Sequence, residues 1–186
     1  MILYHGTQDS NLKELRTDFH SGRKNDSENI YLTDSFACAF MYAGCVLRCF
    51  EYDKKNDVLW LLEKAPNAFE KMYKGHSCYI YSINVEDAVK VNHITNHVYV
   101  CKHNIFLDKN NCEYIPDCYE KLLQLEKDGI LKLQRWNNWS KEQQHNIKEK
   151  FIKQFTPYME ENKKSFPESY KILVNLYPEL AVKEKH

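Results

Sequence analysis

Two stretches decide how this chain is read: ILYHGT at residues 2–7 and IYLTDSFACAFMYA at residues 30–43. Ile2 to Tyr4 reads as a short apolar strand, and Gly6 follows it closely. A glycine there lets the backbone approach a flat ligand, because no Cβ stands in the way. Backbone N–H and C=O groups at such a point can hold a carboxamide in bidentate fashion, and His5 beside them can donate to a sugar hydroxyl. Ile30 to Thr33 reads as a second strand. Asp34 or Ser35 caps a helix whose apolar positions Phe36, Ala39, Phe40, Ala43 and Val46 keep one face buried. Tyr31 therefore sits on a strand, and Tyr42, eleven residues on, sits on a helix. Two aromatic rings clamp a planar heteroaromatic ring by stacking. Each motif also has a plain reading: a turn glycine beside an exposed histidine, and an aromatic stripe that is simply core.

Outward from these stretches, Asn11 to Leu15 is expected as a helical turn and Phe19 to Asn29 as a polar loop. The helix after Ser35 is expected to end near Phe50. Residues 57–62 (DVLWLL) fit strand or helix equally, and Asn67 to Lys74 fits a short amphipathic helix. Cys78 to Ile83 (CYIYSI), His97 to Lys102 and Cys112 to Ile115 have the β-branched and aromatic make-up of strands, with a turn at 108–111 (DKNN). Beyond Pro116 the expectation is helical. Tyr119 to Glu126 is one helix. Ser140 with Gln143 forms a capping box for another, reaching about Phe155, and Ser165 or Pro167 opens a last one ending near Tyr177. The fold class implied is α+β: residues 1–118 form a split-sheet core, and 119–186 a helical C-terminal extension packed on it.

Charge and cysteine usage narrow the function classes. Lys plus Arg (26) equals Asp plus Glu (26) over 186 residues, which argues against a protein whose main task is coating nucleic acid or a membrane surface. The seven cysteines include no CxxC pair, so no zinc signature and no metal is expected, and free thiols in a reducing cytoplasm are the natural reading. The N-terminal MILYHGTQD lacks the charged and apolar regions of a signal peptide, and no apolar run approaches the ~20 residues that span a bilayer. A cytoplasmic protein without a membrane partner is expected.

In order and spacing, Tyr4-His5-Gly6-Thr7 with the Tyr31/Tyr42 pair resembles the catalytic core of ADP-ribosyltransferases of the His-Tyr-Glu type, the group of diphtheria toxin and the poly(ADP-ribose) polymerases. The resemblance covers residues 2–43 well and 77–115 loosely. It implies NAD as co-substrate, bound between the halves of a split sheet. Tyr4, His5, Gly6, Thr7, Tyr31, Thr33 and Tyr42 are then the NAD-binding set. Gly6 would hold the nicotinamide amide through its backbone, His5 a ribose hydroxyl, and Tyr31 and Tyr42 the two faces of the nicotinamide. Where the polymerases carry a serine on the helix, this chain has Ala39; Thr7, Thr33 or Ser35 are the nearby hydroxyls.

The third element departs from the family pattern. The family's glutamate opens a late strand and stabilises positive charge developing on the sugar as nicotinamide leaves. Here Asn96-His97-Val98-Tyr99-Val100 is the favoured match, with His97 at the glutamate's place, because it makes the longer strand. Asn111-Cys112-Glu113-Tyr114-Ile115 is the second match; it keeps a carboxylate, Glu113, but runs at once into Pro116. The candidate catalytic set is thus His5, Tyr31, and His97 or Glu113. The resemblance implies transfer of ADP-ribose to a macromolecular acceptor, protein or nucleic acid, with an inhibitory or regulatory protein partner as a further expectation. Two rival readings stand beside it: a non-catalytic module that binds NAD, ADP-ribose or a protein, and an RNA 2′-phosphotransferase using NAD. Of the remaining features, Arg16 and Arg23 are solvated loop arginines or candidates for a pyrophosphate, and Trp136 and Trp139 read as packing between the extension and the core rather than a base-stacking platform.

Overall fold

The structure, a computed structural model, describes residues 1–17, 29–44, 50–53, 56–84, 91–95 and 97–182. The expected loop at 19–29 (but for Asn29), Arg23, and the stretch just before Phe50 lie outside these residues. The chain divides into two interleaved units, residues 1–45 with 75–121 and residues 46–74 with 122–186. The linear division after residue 118 is thus replaced by one within a helix, and 46–74 belongs with the C-terminal segment rather than with the first unit. Sequence order alone cannot show this, because the pairing that recruits 46–74 is made far along the chain.

The first unit is built on a six-stranded sheet. Its strands are β1 (Ile2–Thr7), β3 (Ile30–Thr33), β6 (Cys78–Asn84), β7 (Val91–Thr95), β8 (Val98–Cys101) and β10 (Cys112–Ile115), in the order β10-β6-β1-β3-β8-β7. A two-stranded piece, β2 (Glu14–Leu15) with β9 (Ile105–Phe106), replaces the helical turn expected at 11–15. Side chains alternate between the faces of such a sheet. Leu3, Leu15, Ile30, Leu32 and Cys101 form the core on one face, with Tyr99 and Ile83 packed against it. Helix α1 (Phe36–Gly44) covers the other face. It starts at Ser35, whose hydroxyl accepts from the Cys38 N–H at 3.3 Å. It lacks β-branched residues, and Ala37 through Met41 and Ala43 are all buried.

The second unit holds a three-stranded sheet, β11-β5-β4, from β4 (Phe50–Asp53), β5 (Val58–Leu62) and β11 (Leu131–Gln134). DVLWLL thus resolves as a strand, and β11 runs parallel to it from Leu131↔Leu59 to Gln134↔Leu62. Helices α2 (Ala68–Tyr73), α4 (Lys141–Phe155), α5 (Met159–Ser165) and α6 (Pro167–Leu176) complete this unit. The capping box is present at α4: Ser140 accepts from the Gln143 N–H and the Gln143 side chain from the Ser140 N–H. Helix α3 (Cys118–Lys127) crosses the division between the units and is followed by Gly129, whose φ of 72° favours glycine. Buried Glu63 pins this unit's loops. Its carboxylate accepts from the N–H of Phe69 (3.0 Å) and of Trp136 (2.6 Å), and its carbonyl accepts from the Trp139 indole at 3.0 Å. Trp139 is therefore committed to packing and hydrogen bonding inside its own unit. Among the described residues no helix is long and apolar enough to cross a membrane.

Candidate functional site

Strand β1 is zipped to β6 by six aligned pairs, from Ile2↔Asn84 to Thr7↔Tyr79. To β3 it has one, Tyr4↔Thr33. Strand β3 in turn pairs along its full length with β8, from Ile30↔Cys101 to Thr33↔Val98. The ladder between β1 and β3 thus stops where His5-Gly6-Thr7 begins. The next link is a side chain: His5 Nδ1 lies 3.2 Å from the Tyr31 carbonyl oxygen. Regular pairing between β1 and β3 ends at the first motif, and the second motif lies on the facing strand.

The carbonyl can only accept, so His5 carries its hydrogen on Nδ1. Burial pushes the His5 pKa down, against a smaller opposing effect of this bond. A neutral ring with Nδ1–H presents Nε2 as an acceptor. Nε2 is thus left as an acceptor, not as the donor that the sequence leads one to expect.

Gly6 is fixed by packing. A Cβ built on it would stand 2.0 Å from the Ala39 carbonyl oxygen and 2.7 Å from the Ala43 Cβ. Helix α1 thus rests on the backbone of β1, and Ala39 lies at that contact. The glycine serves helix–strand contact. Tyr4, on the same face, meets Phe36 edge-on at 5.8 Å. The Thr7 and Thr33 hydroxyls accept from the backbone N–H groups of Asp9 and Ser35, both at 3.1 Å, and so shape the turns leaving β1 and β3.

Tyr31 and Tyr42 depart from core behaviour. Tyr31 is 46% exposed and Tyr42 37% exposed, although every other described helix residue from Ala37 to Ala43 is buried. Tyr31 alternates with buried Ile30 and Leu32, which places it on the α1 side of the sheet, the side that carries Tyr42. An aromatic stripe serving only the core would not leave its two largest rings at the surface.

The two matches for the third element separate in space. His97 immediately precedes β8, the strand paired with β3. Its φ of 58° lies in the left-handed region that non-glycine residues seldom adopt, at a cost of order 1–2 kcal/mol. Its Nδ1 meets the Asp34 carboxylate, whose other oxygen accepts from the Tyr99 hydroxyl at 2.9 Å. Glu113 lies on β10, with β6 between it and β1, and pairs with Lys121 at 2.7 Å. The structure thus groups His97 with β3 and seats Glu113 beyond β6. Asp34 and Tyr99 are site neighbours that the sequence reading does not single out. One signal existed: Asp34 and Ser35 compete for one cap, which leaves one of them for another task. Arg16 is exposed.

The class defined by these observations is an α+β protein whose largest sheet pairs the strands of its first and second motifs, β1 and β3, at a single position. Comparison with protein-family models, with curated proteins and with solved structures finds no match. Among the described residues no group of three or more His, Cys, Asp or Glu side chains is arranged to hold a metal ion.

Proposed function

We propose that NAD binds where the pairing between β1 and β3 ends and that the protein transfers ADP-ribose from it to an acceptor. The observation that carries this reading is the pair of exposed rings, Tyr31 and Tyr42, on the side of the sheet where Gly6 meets α1. A heteroaromatic ring between them hides apolar surface and gains stacking of about 0.5–1.5 kcal/mol per contact. His5, next to the last β1–β3 pair, offers Nε2 to a sugar hydroxyl. In the reaction the C1′–N bond breaks and nicotinamide leaves with the bonding pair. A lone pair of the acceptor closes on C1′, and the acceptor's proton passes to solvent. The nucleophile belongs to the acceptor, so the protein needs no activated serine or cysteine of its own.

The rival with a specific observation behind it is a binding module, since a histidine stands where the family has its glutamate. Incubation with adenylate-labelled NAD in a cell lysate, followed by assay of free nicotinamide and labelled acceptor, separates the two. Nicotinamide release that Tyr31→Ala abolishes supports transfer. Tyr31-dependent NAD binding without release overturns transfer and leaves the module. Absence of both overturns the pocket itself.

A further inference from the structure

The third element contains more than an imidazole. His97 alone is a poor substitute for a glutamate, because a protonated ring would oppose the positive charge that develops on the sugar. Its neighbours change that balance. The Asp34 carboxylate, at the junction of β3 and α1, contacts His97 Nδ1 and accepts from the Tyr99 hydroxyl. As a carboxylate it only accepts, so the ring nitrogen facing it is the donor and His97 is held with hydrogen on Nδ1. Tyr99 packs on the core cluster of its face, which anchors the far side of Asp34. Ser35, not Asp34, caps α1, so the carboxylate is not spent on the helix. The left-handed backbone of His97 fits the same purpose: strain concentrates where surroundings over-determine a functional residue.

We propose that Asp34 is the positioning carboxylate of the third element: it fixes His97 through Nδ1, so that the ring meets the nicotinamide ribose through Nε2. A histidine–aspartate pair then does the work of one glutamate, and its combined charge never exceeds zero with Asp34 ionised. Tyr31 is level with Val100 on β8, the strand that His97 immediately precedes. This inference rests on the NAD reading above, and its test keeps the two apart.

The experiment records the ring nitrogens of His97 by nitrogen-15 NMR, with and without NAD, in the wild-type chain, Asp34→Asn and Asp34→Glu, together with nicotinamide release. The expected result is an Nδ1–H ring in the wild type whose Nε2 resonance moves when NAD is added. Asp34→Asn is expected to lose that tautomer preference and to lower kcat at least about tenfold, with KM changed less than about threefold. Asp34→Glu is expected to restore most of kcat, which a merely structural acid at a strand end would not require. If Asp34→Asn leaves tautomer and kcat unchanged while NAD binding still depends on Tyr31, the positioning role is overturned and the pocket stands. If NAD moves no ring signal and shows no Tyr31-dependent binding, both are overturned.

Discussion

Two carboxylates mark opposite designs within this chain. Glu63 follows β5, is 6% exposed, and accepts from two backbone N–H groups. Asp34 follows β3, its side chain is 33% exposed, and it engages two side chains, His97 and Tyr99. Glu63 ties main chain to main chain; its partners are part of every residue and carry no chemistry. Asp34 ties together groups that can move a proton. The first arrangement makes loops rigid, and the second prepares side chains. The aromatic residues repeat the contrast. Trp139 uses its indole N–H on the Glu63 carbonyl, whereas Tyr31 and Tyr42 keep their rings at the surface.

The sharpest way to break this contrast is at Glu63. Glu63→Ala orphans one buried and one part-buried N–H donor, at about 1–3 kcal/mol for the buried one and less for the other, so a loss of about 3 kcal/mol in unfolding free energy is expected by urea denaturation. NAD affinity, measured at a temperature where the variant stays folded, is expected to be unchanged. Gly6→Ala comes next, at about 3 kcal/mol, because the new Cβ meets a carbonyl oxygen rather than a flexible side chain. Here stability and NAD affinity should fall together, since α1 must move off β1 and carries Tyr42 with it. A Gly6→Ala variant of unchanged stability would mean that α1 does not rest on β1 as described.

How far these features are legible in the sequence follows from how local their causes are. The capping box at Ser140 and Gln143, helix α4 and the strand at 78–84 depend on neighbours in the chain, and they read directly. Strand β2 is two residues long and finds its partner at Ile105–Phe106, so no periodicity near Glu14 announces it. Strand β11 is parallel to β5, and its short LKLQ run looks like nothing until Leu59–Leu62 lies beside it. The same pairing assigns 46–74 to the second unit. At the site, the residue types His5, Gly6, Tyr31 and Tyr42 are readable. The reason for Gly6 (the Ala39 carbonyl) and the partner of His97 (Asp34) are contacts across the fold, which spacing does not encode.

At the site itself effects should appear in binding rather than in folding. Tyr31→Ala and Tyr42→Ala each remove a half-exposed ring, so stability should fall by about 1 kcal/mol or less. Loss of one stacking face should weaken NAD about tenfold in calorimetric titration, and the double variant more. Equal losses of stability and affinity would return both tyrosines to an ordinary packing role. His5 adds a pH signature. Its pKa is lowered in the folded state, so the unfolded chain binds the proton more readily. Stability is therefore full above the ordinary histidine value of about 6.5 and falls as pH drops from there toward the lower folded value. His5→Gln should flatten that part of the stability curve. A slope unchanged by the substitution would show that other groups cause it.

The smallest expected effect separates the two matches for the third element. Glu113 is half exposed and paired with Lys121, and such surface pairs contribute about 0.2–1 kcal/mol at most. Glu113→Gln should therefore shift unfolding by less than that, and the shift should shrink further in high salt as screening weakens the pair. Its effect on nicotinamide release should be within about twofold, because β6 stands between Glu113's strand and β1. His97→Ala should reduce release about a hundredfold, in the range that loss of one hydrogen-bonding group at a developing charge costs. The opposite ranking, with Glu113→Gln inactive and His97→Ala active, would move the third element to β10. It would also make Asp34 a surface acid, and the difference between Asp34 and Glu63 would then be one of burial alone.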